Sequence, residues 1–375
     1  MRLLHRPSPW RTLFAGDSLP DPNGWPPLLV PLQQALVTLG PAPSLAEAHA
    51  WQEQLVEALD RLDLPAWRIS QLISDHNAWL YRRAIQLSLN EMQGQGWGPP
   101  SVAYCVLVLG SGGRHESLLG PDQDNAMILA DYPDARHTEI DGYFQSLGER
   151  FTARLDAAGI PLCQGHVMAR WPMWRKRLSE WCTQLDIWTA ERRVKRVQQA
   201  NILLDFHAVF GDTSLAEALA EQVSRQLPGA HLFLDEMASL LDERELALDR
   251  FGRLSGDDAG APHERAINLK RQALLPLVNA VRLLALRHGV RPADTRARLV
   301  ALVMLEVLAA RQAQALTAVL DRLLALMLDA QRQALAEGRI PDGWVDTSRL
   351  LMTQRQQLRH DLLQIRALQR EARKS

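Results

Sequence analysis

Apolar residues recur along this chain at two periods, and the switch between them divides it. At the front, Leu45, Ala48, Trp51, Leu55, Leu59 and Leu62 fall at helical spacing behind Ser44-x-x-Glu47, a capping box. A second helix is expected from about Pro65, carrying Ile69, Leu72, Ile73, His76, Leu80 and Leu87. The two predict a helical hairpin over residues 44–98. His76 reads as a packed or surface residue of that hairpin rather than a ligand. Before it, residues 1–43 are rich in proline and predict an irregular, partly packed leader, with Leu28–Leu39 as a short helix.

The period then changes. The run Val106, Leu107, Val108, Leu109 is too short for a helix and ends in Gly110-Ser111-Gly112-Gly113; a second run, Ala126 to Leu129, follows a short loop. Strand, glycine turn, loop, strand is the simplest reading. Helical spacing returns over Glu139–Ala158, through Ile140, Phe144, Leu147, Phe151 and Leu155, and stops at Gly159. A further helix is expected from about Trp174 to Glu191. Its stripe of Trp174, Leu178, Trp181, Leu185 and Trp188 reads as core, and Arg175, Lys176 and Arg177 as a solvated basic face. Ile202 to Phe206 reads as a buried strand with one charge in it, Asp205.

From Leu215 onward strand-like alternation disappears, and the pattern predicts a helical bundle. Helices are expected over His231–Leu248, along a stripe from Leu274 to Ala285 with Pro276 as a kink or displaced start, from Asp294-Thr295, over Leu316–Leu335 and over Ser348–Arg373. The fold class is therefore α+β, a mixed sheet with helices followed by an all-α domain. Its expected parts are 1–43, 44–98, 99–214 and 215–375.

Composition narrows the function. The chain has 375 residues, 47% hydrophobic and 23% charged, enough for two or three cores. A net charge of -1 argues against a partner that is mainly nucleic-acid backbone. Cys105, Cys163 and Cys182 lack metal-ligand spacing and read as reduced, buried thiols. No continuous apolar segment reaches membrane-span length, so a cytoplasmic protein is expected.

Candidate chemistry gathers at the glycine turn. In an extended segment Asp122 and Asp124 point to one face while Gln123 points away, and two neighbouring carboxylates call for a cation between them. Hard oxygen ligands favour Mg²⁺. Gly110, Ser111, Gly112 and Gly113 offer backbone N-H groups and a hydroxyl to phosphate oxygens, and Arg114 a cationic fork. A Walker A loop would need Lys then Ser or Thr where Arg114 and His115 stand, and the dinucleotide fingerprint a third glycine at His115. Asp205 needs a partner of its own: a metal, a basic residue or hydrogen-bond donors.

Gly-Ser followed after a loop by Asp-x-Asp resembles the nucleotidyltransferases of the DNA polymerase beta superfamily. The longer spelling GSGGRHESLLGPDQDNAMI is similar to bacterial nucleotidyltransferases related to PII uridylyltransferase and glutamine synthetase adenylyltransferase. Arg114, Glu116, Asp122, Gln123, Asp124 and Asn125 match their pattern; Ser117 and Pro121 depart from it. Further matches are Cys163, Gly165, Val167, Met168, Ala169, Pro172 and Trp174, with Arg170 and Trp171 where the relatives have small polar residues. In the helical half, Leu269-Lys270, Pro276, Thr295, Arg298 and Leu299 continue the likeness.

The resemblance implies an enzyme that moves an NMP from an NTP to an acceptor, by analogy a protein side chain. It implies Asp122, Asp124 and Asp205 as ligands of two Mg²⁺ ions, Ser111 and the glycine-turn amides as phosphate contacts, and Lys270 as a nucleotide or acceptor contact. Glu116 and Asn125 are expected to organise the turn. His207 stands where the relatives have arginine, replacing a permanent charge by one expected to titrate near neutrality. Such relatives often carry cyclic-nucleotide-binding and CBS sensor domains ahead of the catalytic part. None is spelled here, so control by another, separate sensor chain, or no such control, is expected. The rival reading is a non-catalytic nucleotide sensor.

Overall fold

The computed structural model describes residues 9–16, 19, 21, 25–190, 194–243, 246–256, 261, 262 and 265–374. They form two compact units: residues 1–182 with 205–219, and residues 183–204 with 220–375.

In the first unit, helices α1 (Val30–Leu39), α2 (Leu45–Ala50), α3 (Gln52–Arg61) and α4 (Ala66–Gly94) precede strand β1 (Tyr104–Leu109). The Ser44 capping box forms, with the side chains and backbones of Ser44 and Glu47 bonded reciprocally. Then come a single helical turn, α5 (Gly110–Gly113), strand β2 (Asn125–Leu129), helix α6 (His137–Ala157) and strand β3 (Arg175–Arg177). Along the chain, helices α7 (Leu178–Ala190) and α8 (Val194–Leu203), which lie mostly in the second unit, come before strand β4 (Phe206–Gly211) of the first and helix α9 (Thr213–Gln226).

The sheet has the order β3-β2-β1-β4. β1 is antiparallel to both neighbours, with Val108 opposite Asn125 on one side and His207 on the other, and β3 joins β2 in parallel. Helices α4 and α6 pack together, and α4 also packs on β4. Phe14 of the leader is buried against Trp51 and His76, so this part of the leader is core of the sheet unit. His76 is buried among Phe14, Trp51 and Trp79, as its packed reading requires.

Three local expectations are corrected. Residues 175–177 are an edge strand rather than the first turn of a helix. Arg175 is buried and its guanidinium is held by Asp141 at 2.9 and 3.0 Å and by the carbonyls of Ala169 and Arg170, so it is not a solvated face. The tryptophan stripe is core as expected, with Trp174, Trp181 and Trp188 all buried. Ile202 and Leu203 end helix α8, and Leu204 still donates to the Ala200 carbonyl, so the strand begins only at Phe206.

The second unit contains α10 (His231–Glu243), α11 (Leu275–Arg287), α12 (Thr295–Met304), α13 (Ala310–Ala336) and α14 (Met352–Lys374). It is not wholly helical: β5 (Ala266–Asn268) and β6 (Trp344–Asp346) pair as an antiparallel ribbon. Pro276 displaces the start of its helix. Lys270–Leu274 run as a π-helical turn ahead of α11, and the Gln272 carbonyl, which Pro276 cannot serve for want of an N-H, accepts instead from Ala247 N at 3.2 Å. The units also divide the chain elsewhere than at residue 215. Residues 183–204 belong with the helical unit because α8 packs on α10, and residues 44–98 belong with the sheet unit because α4 lies on α6 and β4. No helix among the described residues is long and apolar enough to cross a membrane.

Candidate active site

A pocket opens in the sheet unit between α4 and the ends of β1 and β4. Ser74, Asn77 and Tyr81 line it from α4, Ser111 and Gly112 from the turn after β1, and Asp122 and Asp124 from the loop before β2. His115, Ser117 and His207 complete the polar part of its wall.

Alternation places the two acids as expected. Gln123 between them is fully buried and donates to the carbonyls of Thr152 at 2.9 Å and Ile160 at 2.8 Å, leaving Asp122 exposed and Asp124 half-buried. Asn125, also fully buried, donates to the Tyr81 hydroxyl and accepts from the Ala169 N-H at 2.8 Å. It organises the loop beside the acids, consistent with the role anticipated for it. Burial raises the Tyr81 phenol pKa, partly offset by Asn125, and the charges of Asp124 and Asp122 raise it further.

The glycines of the turn serve packing. A Cβ on Gly112 would stand 2.3 Å from Val108 Cγ1, and one on Gly113 2.2 Å from the Asp205 carbonyl oxygen. Gly110 adopts φ +60, and its N-H donates to Asp205 O at 2.9 Å. The loop beyond is fastened to α4, since Ser70 Oγ donates to Ser117 O and Ser117 N donates to Ser74 Oγ, each at 2.9 Å.

Asp205 does not join the two acids. It is fully buried, and its Oδ2 stands 2.7 Å from Arg114 Nη1, while Arg114 Nε is 2.7 Å from Glu116. Burial works against the charged guanidinium, but Glu116 and Asp205 outweigh it and push the Arg114 pKa above its ordinary value. Arg114 therefore faces the core rather than the pocket, and of the alternatives open to Asp205 the structure shows the basic partner. Lys270 belongs to the helical unit, where it is exposed at the head of the π-helical turn.

Two residues beside the acids were not among the candidates. Cys163 Sγ lies with carboxylate oxygens of Asp122 and Asp124 in a cluster whose ligand atoms are all within 4.8 Å of one another. Burial, and then the charge of Asp124, push the Cys163 thiol up to about 11. His115, in the left-handed region at φ +56, has Nδ1 3.4 Å from buried Asp75, which also pairs with Arg11 at 3.3 Å. Its place inside the motif was the available signal; the pairing that brings Cys163 to Asp124 has none in a linear reading. His207 is corrected too. Burial first, then His115, Arg11 and Arg82, hold its pKa at about 3, so it is neutral through the physiological range. Arg170 and Trp171 do not line the pocket; the Arg170 guanidinium lies over the Trp171 ring.

Two family models match the chain. One, described as "Putative nucleotidyltransferase DUF294", covers residues 50–195; the other, described as "Putative nucleotidyltransferase substrate binding domain", covers residues 231–375. Over these two stretches the chain is similar to a nucleotidyltransferase family. The first model takes in the whole stretch from the glycine turn to Asp124, and the second most of the helical unit. No curated protein matches the chain.

Proposed function

We propose that this chain transfers a nucleotidyl group from an NTP to an acceptor, with the chemistry at Asp122 and Asp124. The observation that carries the reading is their placement: two carboxylates side by side at a pocket that Ser111 and Gly112 of the glycine turn also line, in a stretch that matches a nucleotidyltransferase family model.

The donor set suits a divalent cation, because two adjacent carboxylates, one exposed and one half-buried, leave most of an ion's coordination to water and phosphate oxygens. Asp122 and Asp124 would hold Mg²⁺; when bound it supplies charge neutralisation along the triphosphate and activation of the acceptor oxygen. The Ser111 hydroxyl and the Ser111 and Gly112 amides, which a single helical turn leaves without internal acceptors, take phosphate oxygens; the Gly110 amide is already held by the Asp205 carbonyl. The acceptor oxygen bonds to the α-phosphorus, the bond to the β-phosphate bridging oxygen breaks, and pyrophosphate leaves. With the protein forming no covalent bond, its share is positioning and charge stabilisation.

By analogy with the relatives, the acceptor is a protein side chain, bound through the helical unit that the second family model describes as substrate-binding. Incubation with labelled NTPs, Mg²⁺ and a cell extract tests this reading: label should move to a protein band with the wild-type chain and not with Asp122→Asn. The second reading, a nucleotide sensor without turnover, is favoured by the engagement of Asp205 with Arg114. It predicts NTP binding with no label transferred.

A further inference from the structure

Asp124 and Cys163 are set side by side by the backbone. An isolated parallel bridge pairs Gln123 with Leu162, so the next residue of each segment is Asp124 on one and Cys163 on the other. Both flanks of the cysteine are fixed. On one, the Gln123 amide holds the Ile160 carbonyl and Gln123 N donates to Pro161 O; on the other, Asn125 N donates to Val167 O. Cys163 itself is 7% exposed. Its Sγ and one oxygen each from Asp122 and Asp124 lie mutually within 4.8 Å. Ligands bound to one ion at about 2.0–2.3 Å stand no more than about 4 Å apart, so small side-chain adjustments suffice.

We propose that Asp122, Asp124 and Cys163 form a three-ligand site of mixed oxygen and sulfur donors that binds a thiophilic divalent cation of the Zn²⁺ class more tightly than Mg²⁺. The inference rests on the reading of the two acids as metal ligands. Mg²⁺ takes oxygen donors in a near-ideal octahedron, whereas carboxylate and thiolate together match the ligands of Zn²⁺. The sulfur-metal bond forms as the Cys163 S-H proton passes to solvent. Three protein ligands leave a fourth position open toward the pocket, where a phosphate oxygen or water can bind.

The test uses the full chain and Cd²⁺ alone, followed through the ultraviolet sulfur-to-cadmium charge-transfer absorbance. The wild-type chain should develop this band at one equivalent, in the presence of excess Mg²⁺. Cys163→Ser should lose the band and bind Cd²⁺ about tenfold or more weakly, with Mg²⁺ binding little changed. Asp122→Asn, a change at an exposed residue, should weaken the band without affecting folding, and Cys182→Ser should leave it intact. A band of wild-type strength in Cys163→Ser, its loss in Cys182→Ser, or Cd²⁺ binding no tighter than Mg²⁺ would overturn the proposal. A clear Cd²⁺ site together with absent nucleotidyl transfer would instead sink the enzymatic reading alone.

Discussion

Arg114 and Asp205 meet at 2.7 Å with both side chains withdrawn from solvent, and Glu116 completes the group on the other side of the guanidinium. Two carboxylates on one buried cation make a link between the turn after β1 and the entrance of β4. Arg114→Ala leaves both acids buried without their cation and should cost about 3–5 kcal/mol, read by urea denaturation. Asp205→Asn should also lower stability, while metal binding at the pocket persists; a third metal ligand would show the reverse.

The same link explains Gly113. Its missing Cβ is what lets the turn lie on the Asp205 backbone, which cannot move aside as a flexible side chain could. Gly113→Ala should therefore destabilise by about 1–3 kcal/mol, visible as a lowered urea midpoint with an unchanged slope.

Acid should unfold the sheet unit through two histidines, His76 buried and His207 half-buried at the pocket wall. His76 and His207 both have pKa values held at about 3, against an ordinary 6.5, burial being the largest cause for each. The unfolded chain therefore binds more protons between those values, and stability falls as pH drops through that window while being fully present above it. Each histidine contributes a slope of about 1.4 kcal/mol per pH unit there. His207→Gln should remove its share of the slope, measured by denaturation at several pH values.

What the sequence disclosed follows from the range of the forces involved. The capping box at Ser44, the alternation that turns Asp122 and Asp124 to one face while burying Gln123, and the tryptophan stripe are local patterns, and all three stand in the structure. The ribbon of β5 and β6 pairs segments far apart in sequence and only three residues long, too short for alternation to register. Asp205 shows the limit most clearly. Its need for a partner was legible from a charge in an apolar run, but the partner, Arg114, lies 91 residues away, and long-range pairing chose between a cation and a metal. Cys163 was overlooked for the same reason, since the bridge between Gln123 and Leu162 leaves no mark along the chain.

The central claim is that Asp124 takes part in nucleotidyl transfer. Its most direct test is pyrophosphate release from each NTP with Mg²⁺ and an acceptor-containing extract, by the purified wild-type chain and by Asp124→Asn. The account predicts release by the wild-type chain, reduced at least about a hundredfold in the variant while folding is unchanged. Equal release by the two proteins would contradict it.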